Sequence, residues 1–292
     1  MITSQKYYKN LVFSLSFLST FIIQTASQAN TFGDIDIGII NDDNLTRSDY
    51  ASDKKAGTAI EFFADYGKFY DLNNNWSATA SVFTQYTNHI DFDKLTTFGL
   101  GVSGSVRKKL GLGAYSSSLQ SVVSITANNM SDSKRDNKTL DLSIGWDKRL
   151  NDTWELSAGV SIDNSDATNK VFDTSGTTVY FSSDYTISEK LLLSLGLSER
   201  KGDIISVTST SNPNYTKINL ASGTNNINDK AFGSGLTAYR VNATTFILKA
   251  SLSYALNDVS SINAGYEYQN SSLAYGIDYI NNIIQANYIH SF

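Results

Sequence analysis

From residue 30 to the C-terminus, apolar and polar residues alternate with a period of two, over and over. The segment Lys138–Lys148 is the clearest case. Leu140, Leu142, Ile144 and Trp146 alternate with Asp141, Ser143, Gly145 and Asp147. Trp154–Ile162 repeats the pattern, with Trp154, Leu156, Ala158, Val160 and Ile162 set against Glu155, Ser157, Gly159 and Ser161. Successive side chains of a β-strand point to opposite faces, so each segment reads as a strand with one greasy and one wet face. A tilted strand crosses a bilayer in roughly 9–11 residues, with lipid on its apolar face and water on the other.

Twelve such strands are expected: Thr31–Ile40, Ala56–Phe69, Trp76–Tyr86, Thr96–Lys108, Ala114–Ala127, Lys138–Lys148, Trp154–Ile162, Thr177–Ile187, Leu191–Ser198, Val241–Leu256, Ser261–Gln269 and Tyr279–Phe292. Their connections alternate between short turns and longer polar loops, the pattern of a transmembrane barrel with one plain and one elaborated end. An even strand number puts both termini at the short-turn end. Trp76, Trp146, Trp154, Tyr185, Tyr254 and Phe292 all fall on outward faces near that end. They form an expected aromatic girdle, half in headgroups and half in hydrocarbon. One proline and no cysteine suit paired strands that need no disulfide. The expected fold class is all-β, a transmembrane antiparallel up-and-down barrel of twelve strands. Fourteen is the alternative if Ile204–Thr210 and Tyr215–Leu220, within the 42 residues of Glu199–Arg240, also cross. Those segments are short and poorly apolar, so an extracellular or inward-folded loop is expected there.

Residues 1–29 read as a cleaved secretory signal peptide, with residues 30–292 as the barrel. Lys6 and Lys9 precede an apolar run, Leu11–Ile23, that is too short for a spanning helix. Ser27-Gln28-Ala29 is a small-x-small cleavage site. The leader carries two lysines and no acids, so its loss moves the formal net charge from −5 to −7. An acidic chain argues against nucleic acid as a partner.

The final segment ends YIHSF, with Phe292, His290, Tyr288, Ala286 and Ile284 on one face. Ser291, Asn287 and Gln285 lie on the other, and Ile289 and Ile283 break the pattern. This segment resembles the closing strand of Gram-negative outer-membrane β-barrels, which ends in phenylalanine. The resemblance implies that Phe292 and Tyr288 act as an assembly signal for the barrel-assembly machinery. It also implies outer-membrane lipid and lipopolysaccharide as surroundings. Gly33–Asn44, GDIDIGIINDDN, resembles the first strand of putative β-barrel porins and of surface-lipoprotein export barrels.

No catalytic constellation stands out, and no metal or cofactor is expected. His89 with Asp91 and Asp93 is a weak candidate for a hydrolase at the outer rim, as against polar residues at a loop base. The Asp-rich stretch Asn41–Asp49 lacks the glycine and terminal glutamate of a calcium loop, so a solvated loop is expected.

The inward face is more informative. It is mostly Ser, Thr, Gly and Asn, with lumen-lining charges expected at Asp34, Asp36, Glu61, Asp65, Arg107, Asp141, Asp147, Glu155, Asp184, Lys249 and Glu267. Carboxylates in a narrow wet tube concentrate cations and repel anions. The expected function is a monomeric channel passing small polar solutes, with a preference for cations. The alternative is a non-conducting barrel for export, adhesion or surface interaction, plugged by Glu199–Arg240.

Overall fold

The computed structural model describes residues 7–12, 17–22, 31–223 and 225–292. Tyr7–Val12 and Phe17–Ile22 pair as a separate antiparallel hairpin. The expected leader lies in part, and its cleavage site wholly, outside the described residues.

Twelve strands form the wall: β1 (Thr31–Asp42), β2 (Gly57–Asn73), β3 (Trp76–His89), β4 (Thr97–Lys109), β5 (Ser118–Met130), β6 (Asn137–Arg149), β7 (Trp154–Ala167), β8 (Thr174–Ser188), β9 (Leu191–Ser209), β10 (Leu236–Asn257), β11 (Ser260–Leu273) and β12 (Ile277–Ser291). Each pairs antiparallel with its neighbours in sequence, and β12 pairs with β1 to close the ring. Closure leaves no free edge in the wall, so every backbone group there finds a partner without water. No helix among the described residues is long and apolar enough to cross a membrane; the crossing is made by strands. Twelve strands, not fourteen, complete the barrel.

The period of two sets the two surfaces. Ile144 is 63 % exposed on the outside, and its inward neighbours Ser143 and Gly145 face the lumen. The exposed belt also includes Ile37, Ile39, Val82, Leu100, Val102, Ile125, Leu142, Ile162, Leu195 and Leu248. An apolar surface this extensive is stable only against lipid. Ile283 and Ile289, which broke the pattern of the last strand, lie on the inward side and are buried.

Several boundaries differ from expectation, β7 running on from Ile162 to Ala167 and β11 from Gln269 to Leu273 among them. The β4–β5 turn runs to Ser117, not Gly113, because the Leu110 amide bonds the Ser117 carbonyl and the Gly113 amide bonds Ser116 Oγ. Tyr115 therefore sits in that turn, its hydroxyl donating to Asp152 at 2.8 Å. More consequentially, β9 runs on to Ser209 and β10 begins at Leu236. Their ladder extends from Leu191↔Tyr254 to Ser209↔Leu236, whereas the β12–β1 ladder spans only Ile283↔Asp42 to Ser291↔Asp34. The 199–240 stretch is thus not a structureless loop. It is a strand extension standing above the wall, tipped by helix α1 (Tyr215–Ser222) and a four-residue strand, Asn226–Asp229.

The dry core sits at that end. One apolar cluster joins Leu95, Val171, Phe172, Val207, Phe232, Leu236 and Ala238, with Leu45 and Phe92 against it. A second joins Ile204, Ile218, Tyr239, Val241, Leu273, Ile277 and Tyr279. The β9–β10 extension stands between them. Its odd face on β9 (Val207) meets the first cluster and its even face (Ile204) the second.

Candidate functional site

The inward-phase side chains and the loops over them define an internal chamber. Two neighbouring cavities of about 240 and 440 Å³ share Arg47, Asp141, Asp163, Thr174 and Ile205 in their linings. Seven Ser and Thr side chains from β5 to β11 line the rest of the smaller one, with Arg200, Asp203, Lys249, Glu267 and Gln269 among them.

The expected charges fall as follows. Asp34, Asp36 and Asp65 are buried on the inner faces of β1 and β2, with Glu61 beside them. Asp34 accepts from Ser291 Oγ at 2.6 Å, and Asp36 from Asn287 Nδ2 at 3.0 Å. Arg107 donates to Ser118 Oγ at 2.8 Å, and Asp147 accepts from Ser157 Oγ at 2.8 Å. Glu155 and Asp184 are register partners on β7 and β8. Lys249 pairs with Glu267 at 2.5 Å, and Glu267 also accepts from Gln269. Asp141 lines both cavities.

Sequence reasoning missed three charged groups here. Asp163 lies just beyond the expected end of its strand. Arg200 was assigned to a loop, yet it crosses to Asp163 with bonds of 2.7 and 3.1 Å. Arg47 lay in the stretch expected to be a solvated loop, and that expectation is overturned. Asn44, Thr46, Ser48 and Asp53 are buried, and the 43–56 segment folds across the mouth to the β9–β10 extension. Val207 donates its amide to the Thr46 carbonyl at 2.8 Å, and Ser206 Oγ donates to the Arg47 carbonyl at 2.9 Å. The Asp53 carboxylate accepts from Thr208 Oγ1, Ser209 N and Ser209 Oγ at 2.7–3.0 Å. Asp49 accepts from Asn212 and Asn214. These carboxylates are latches. No group of three or more His, Cys, Asp or Glu suited to a metal occurs among the described residues.

The remaining outer loops join the same cap. Phe92 packs against Phe232 with ring centroids 5.1 Å apart and planes tilted by 59°. Arg135 pairs with Asp229 and lies 4.1 Å from the centroid of the Phe172 ring. Lys94 Nζ donates to the Lys230 carbonyl. Burial pulls the Arg135 guanidinium below its ordinary value, and Asp229 pushes it back up. His89 is at the end of β3 and lines the larger cavity rather than the outer rim. Its Nδ1 has no hydrogen-bond partner among the described residues.

At the short-turn end, Trp76, Trp154, Tyr185 and Tyr254 are exposed on the outer face, and Trp146 shares their phase. Trp154 and Tyr185 are register partners. Lys108 lies 5.1 Å from the Trp76 ring centroid. The last residue is locked into the seam: Phe292 N bonds Gly33 O at 2.9 Å and Gly33 N bonds Phe292 O at 3.1 Å. The Phe292 ring lies over Gly33, where a Cβ would meet it at 2.5 Å. Tyr288 Oη donates to Ser260 Oγ at 3.2 Å.

Known structures share this architecture. An outer membrane channel from Pseudomonas putida F1 superposes with a TM-score of 0.58 at 12 % identity, over 91 % of this chain and 97 % of that one. The β domain of the Bordetella autotransporter BrkA matches with a TM-score of 0.45 at 12 % identity, over 90 % of this chain and 100 % of that one. The outer membrane channel DcaP of Acinetobacter baumannii gives 0.43 at 11 % identity, over 90 % and 96 %. At 12 % identity the likeness to the Pseudomonas channel establishes the fold alone. No family model matches the sequence, and no curated protein does.

Proposed function

We propose that this chain is an outer-membrane channel for small polar solutes, preferring cations and gated at its outer mouth by the 43–56 segment. The observation that carries this reading is the polar chamber inside a closed barrel. A barrel built only as a membrane anchor has no need of a Ser- and Thr-lined interior of this volume. The first structural neighbour, an outer membrane channel, is in line with it. The selectivity rests on charge. Eleven inward carboxylates, counting Asp42 and Asp163 with the nine foreseen, stand against Arg47, Arg107, Arg135, Arg200 and Lys249. Such an excess raises the local cation concentration.

One observation favours a second reading. Two apolar clusters pack at the mouth, a feature in keeping with a plugged barrel used for export or surface interaction. Single-channel recording of the barrel in planar bilayers separates the two. Cation-selective steps that become larger or more frequent in Asp53→Ala support the gated channel. Silence from both the wild type and Asp53→Ala moves the assignment to the plugged barrel. A reversal potential favouring chloride removes the cation preference.

Export by a cleaved leader and delivery to the outer membrane belong to the same proposal. Mass spectrometry of the mature chain is expected to find Asn30 at its start. Deletion of Phe292 removes both seam bonds to Gly33 and is expected to lower the amount of folded, heat-modifiable protein severalfold. Undiminished assembly would count against a closing-strand signal.

A further inference from the structure

Arg47 occupies an unusual position. Its φ is 46°, and among the described residues only Tyr275 shares a positive φ without being glycine. Side chains with a Cβ are strained in the left-handed region, where glycine or asparagine is ordinary. Tyr275 sits in a tight hairpin turn beside Gly276, which accounts for it. Arg47 lies at the tip of the inward-folded segment. The chain there is pinned by Ser206 and Val207. Its guanidinium, by contrast, makes no hydrogen bond or ion pair with any described residue, although it lines both cavities. Strain retained at such a point signals a function for the side chain.

Two carboxylates, Asp141 and Asp163, line both cavities with Arg47. Asp163 is held by Arg200, and Glu267 is held by Lys249. Asp141 has only a long contact, 3.4 Å, from Ser124 Oγ. Arg47 and Asp141 therefore present one cation and one anion to the same space without pairing with each other. A purely anionic solute is repelled by the surrounding carboxylates, and a purely cationic one enters but leaves the guanidinium at the tip without a partner. A small molecule bearing both charges meets a partner for each, in charge-assisted bonds. The Ser and Thr lining suits its remaining polar atoms.

We propose that the chamber binds a small zwitterionic solute of the amino-acid type, its carboxylate held by Arg47 and its ammonium by Asp141. This rests on the channel reading for the identity of the passing solute.

The test uses four probes of similar size: L-serine, glycolate, ethanolamine and glycerol. Their flux into proteoliposomes is measured, together with equilibrium dialysis of labelled L-serine against the purified barrel. The wild type is expected to bind serine and to pass it about tenfold faster than glycerol. Arg47→Gly relieves the backbone strain, so it raises thermal stability. It also lowers the serine-to-glycerol and glycolate-to-glycerol ratios. Arg47→Lys keeps part of both ratios. Asp141→Asn lowers the serine-to-glycerol and ethanolamine-to-glycerol ratios instead. Equal wild-type flux of serine and glycerol overturns the inference and leaves the channel reading standing. So do variants that move all four probes alike. Serine binding without flux of any probe keeps the site and overturns the channel. Neither binding nor flux overturns both.

Discussion

The two ends of the barrel are built by different rules. At the short-turn end, the connections are closed mostly by their own residues, the Tyr115–Asp152 bond between two of them excepted. Asn73 Oδ1 accepts from the amides of Asn75 and Trp76. Asn151 Oδ1 accepts from the amides of Thr153 and Trp154 and from Thr153 Oγ1. Asn257 Oδ1 accepts from the Val259 amide. In every case the partner lies within three residues, the local mimicry of a turn that asparagine favours. At the other end the partners are remote: Asp53 holds Thr208, and Arg135 holds Asp229. One end is a row of short, largely local turns. The other is a small folded body assembled from five loops and the ends of the strands between them, with its own dry core. A cooperative cap can open as a unit while the wall stays closed.

The sharpest way to break this contrast is to empty the cap core. Phe232 is buried among Phe92, Val171 and Phe172. Phe232→Ala is expected to cost the cap about 3–5 kcal/mol, from lost burial plus an unfilled cavity. Hydrogen exchange should then rise across 43–56, 90–96 and 210–235 together, with the wall strands unchanged. Exchange confined to the 232 loop would mean that the cap is not one unit.

The latch ranks next. Asp53 is 4 % exposed and accepts three bonds from Thr208 and Ser209. Asp53→Ala leaves the Ser209 amide without its partner and is expected to cost about 3 kcal/mol of docking. The readout is protease cutting within 43–56, which should appear in the variant and be absent from the wild type. Because Asp53 and Phe232 hold the same body, their double variant should fall short of the sum of the two costs.

The difference between the ends also explains what could be read in advance. Leu140, Leu142, Ile144 and Trp146 announce the wall because lipid and water divide their strand at every residue. The parity of turns and loops follows from the same local signals. The cap carries no such alternation. Ile204 to Thr208 and Ala238 to Val241 are packed on both faces, so Val207 and Ser206 are equally buried despite opposite phases. Their apolar partners arrive singly, Leu45 from one loop, Phe92 and Leu95 from another, Val171 and Phe172 from a third. Each loop carried only one or two of them among polar residues. Their recurrence in loop after loop was the available signal. Arg47 left no signal at all, since its strain and its place in the chamber exist only once the loop has folded inward.

The smallest expected effect tests the other half of the contrast. Asn151→Ala removes one carbonyl that serves three donors, all within the same exposed turn. Water can replace it for the freed groups, so the loss should be only about 1 kcal/mol. It should appear as faster unfolding in denaturant, with channel behaviour and cap protection untouched. The separation of the ends makes a sharper demand. Asn151→Ala and Asp53→Ala share no partner, so their costs should add to within about 0.5 kcal/mol. A coupling larger than that would mean that the wall transmits strain from turn to cap, and that the cap is not an independently opening body.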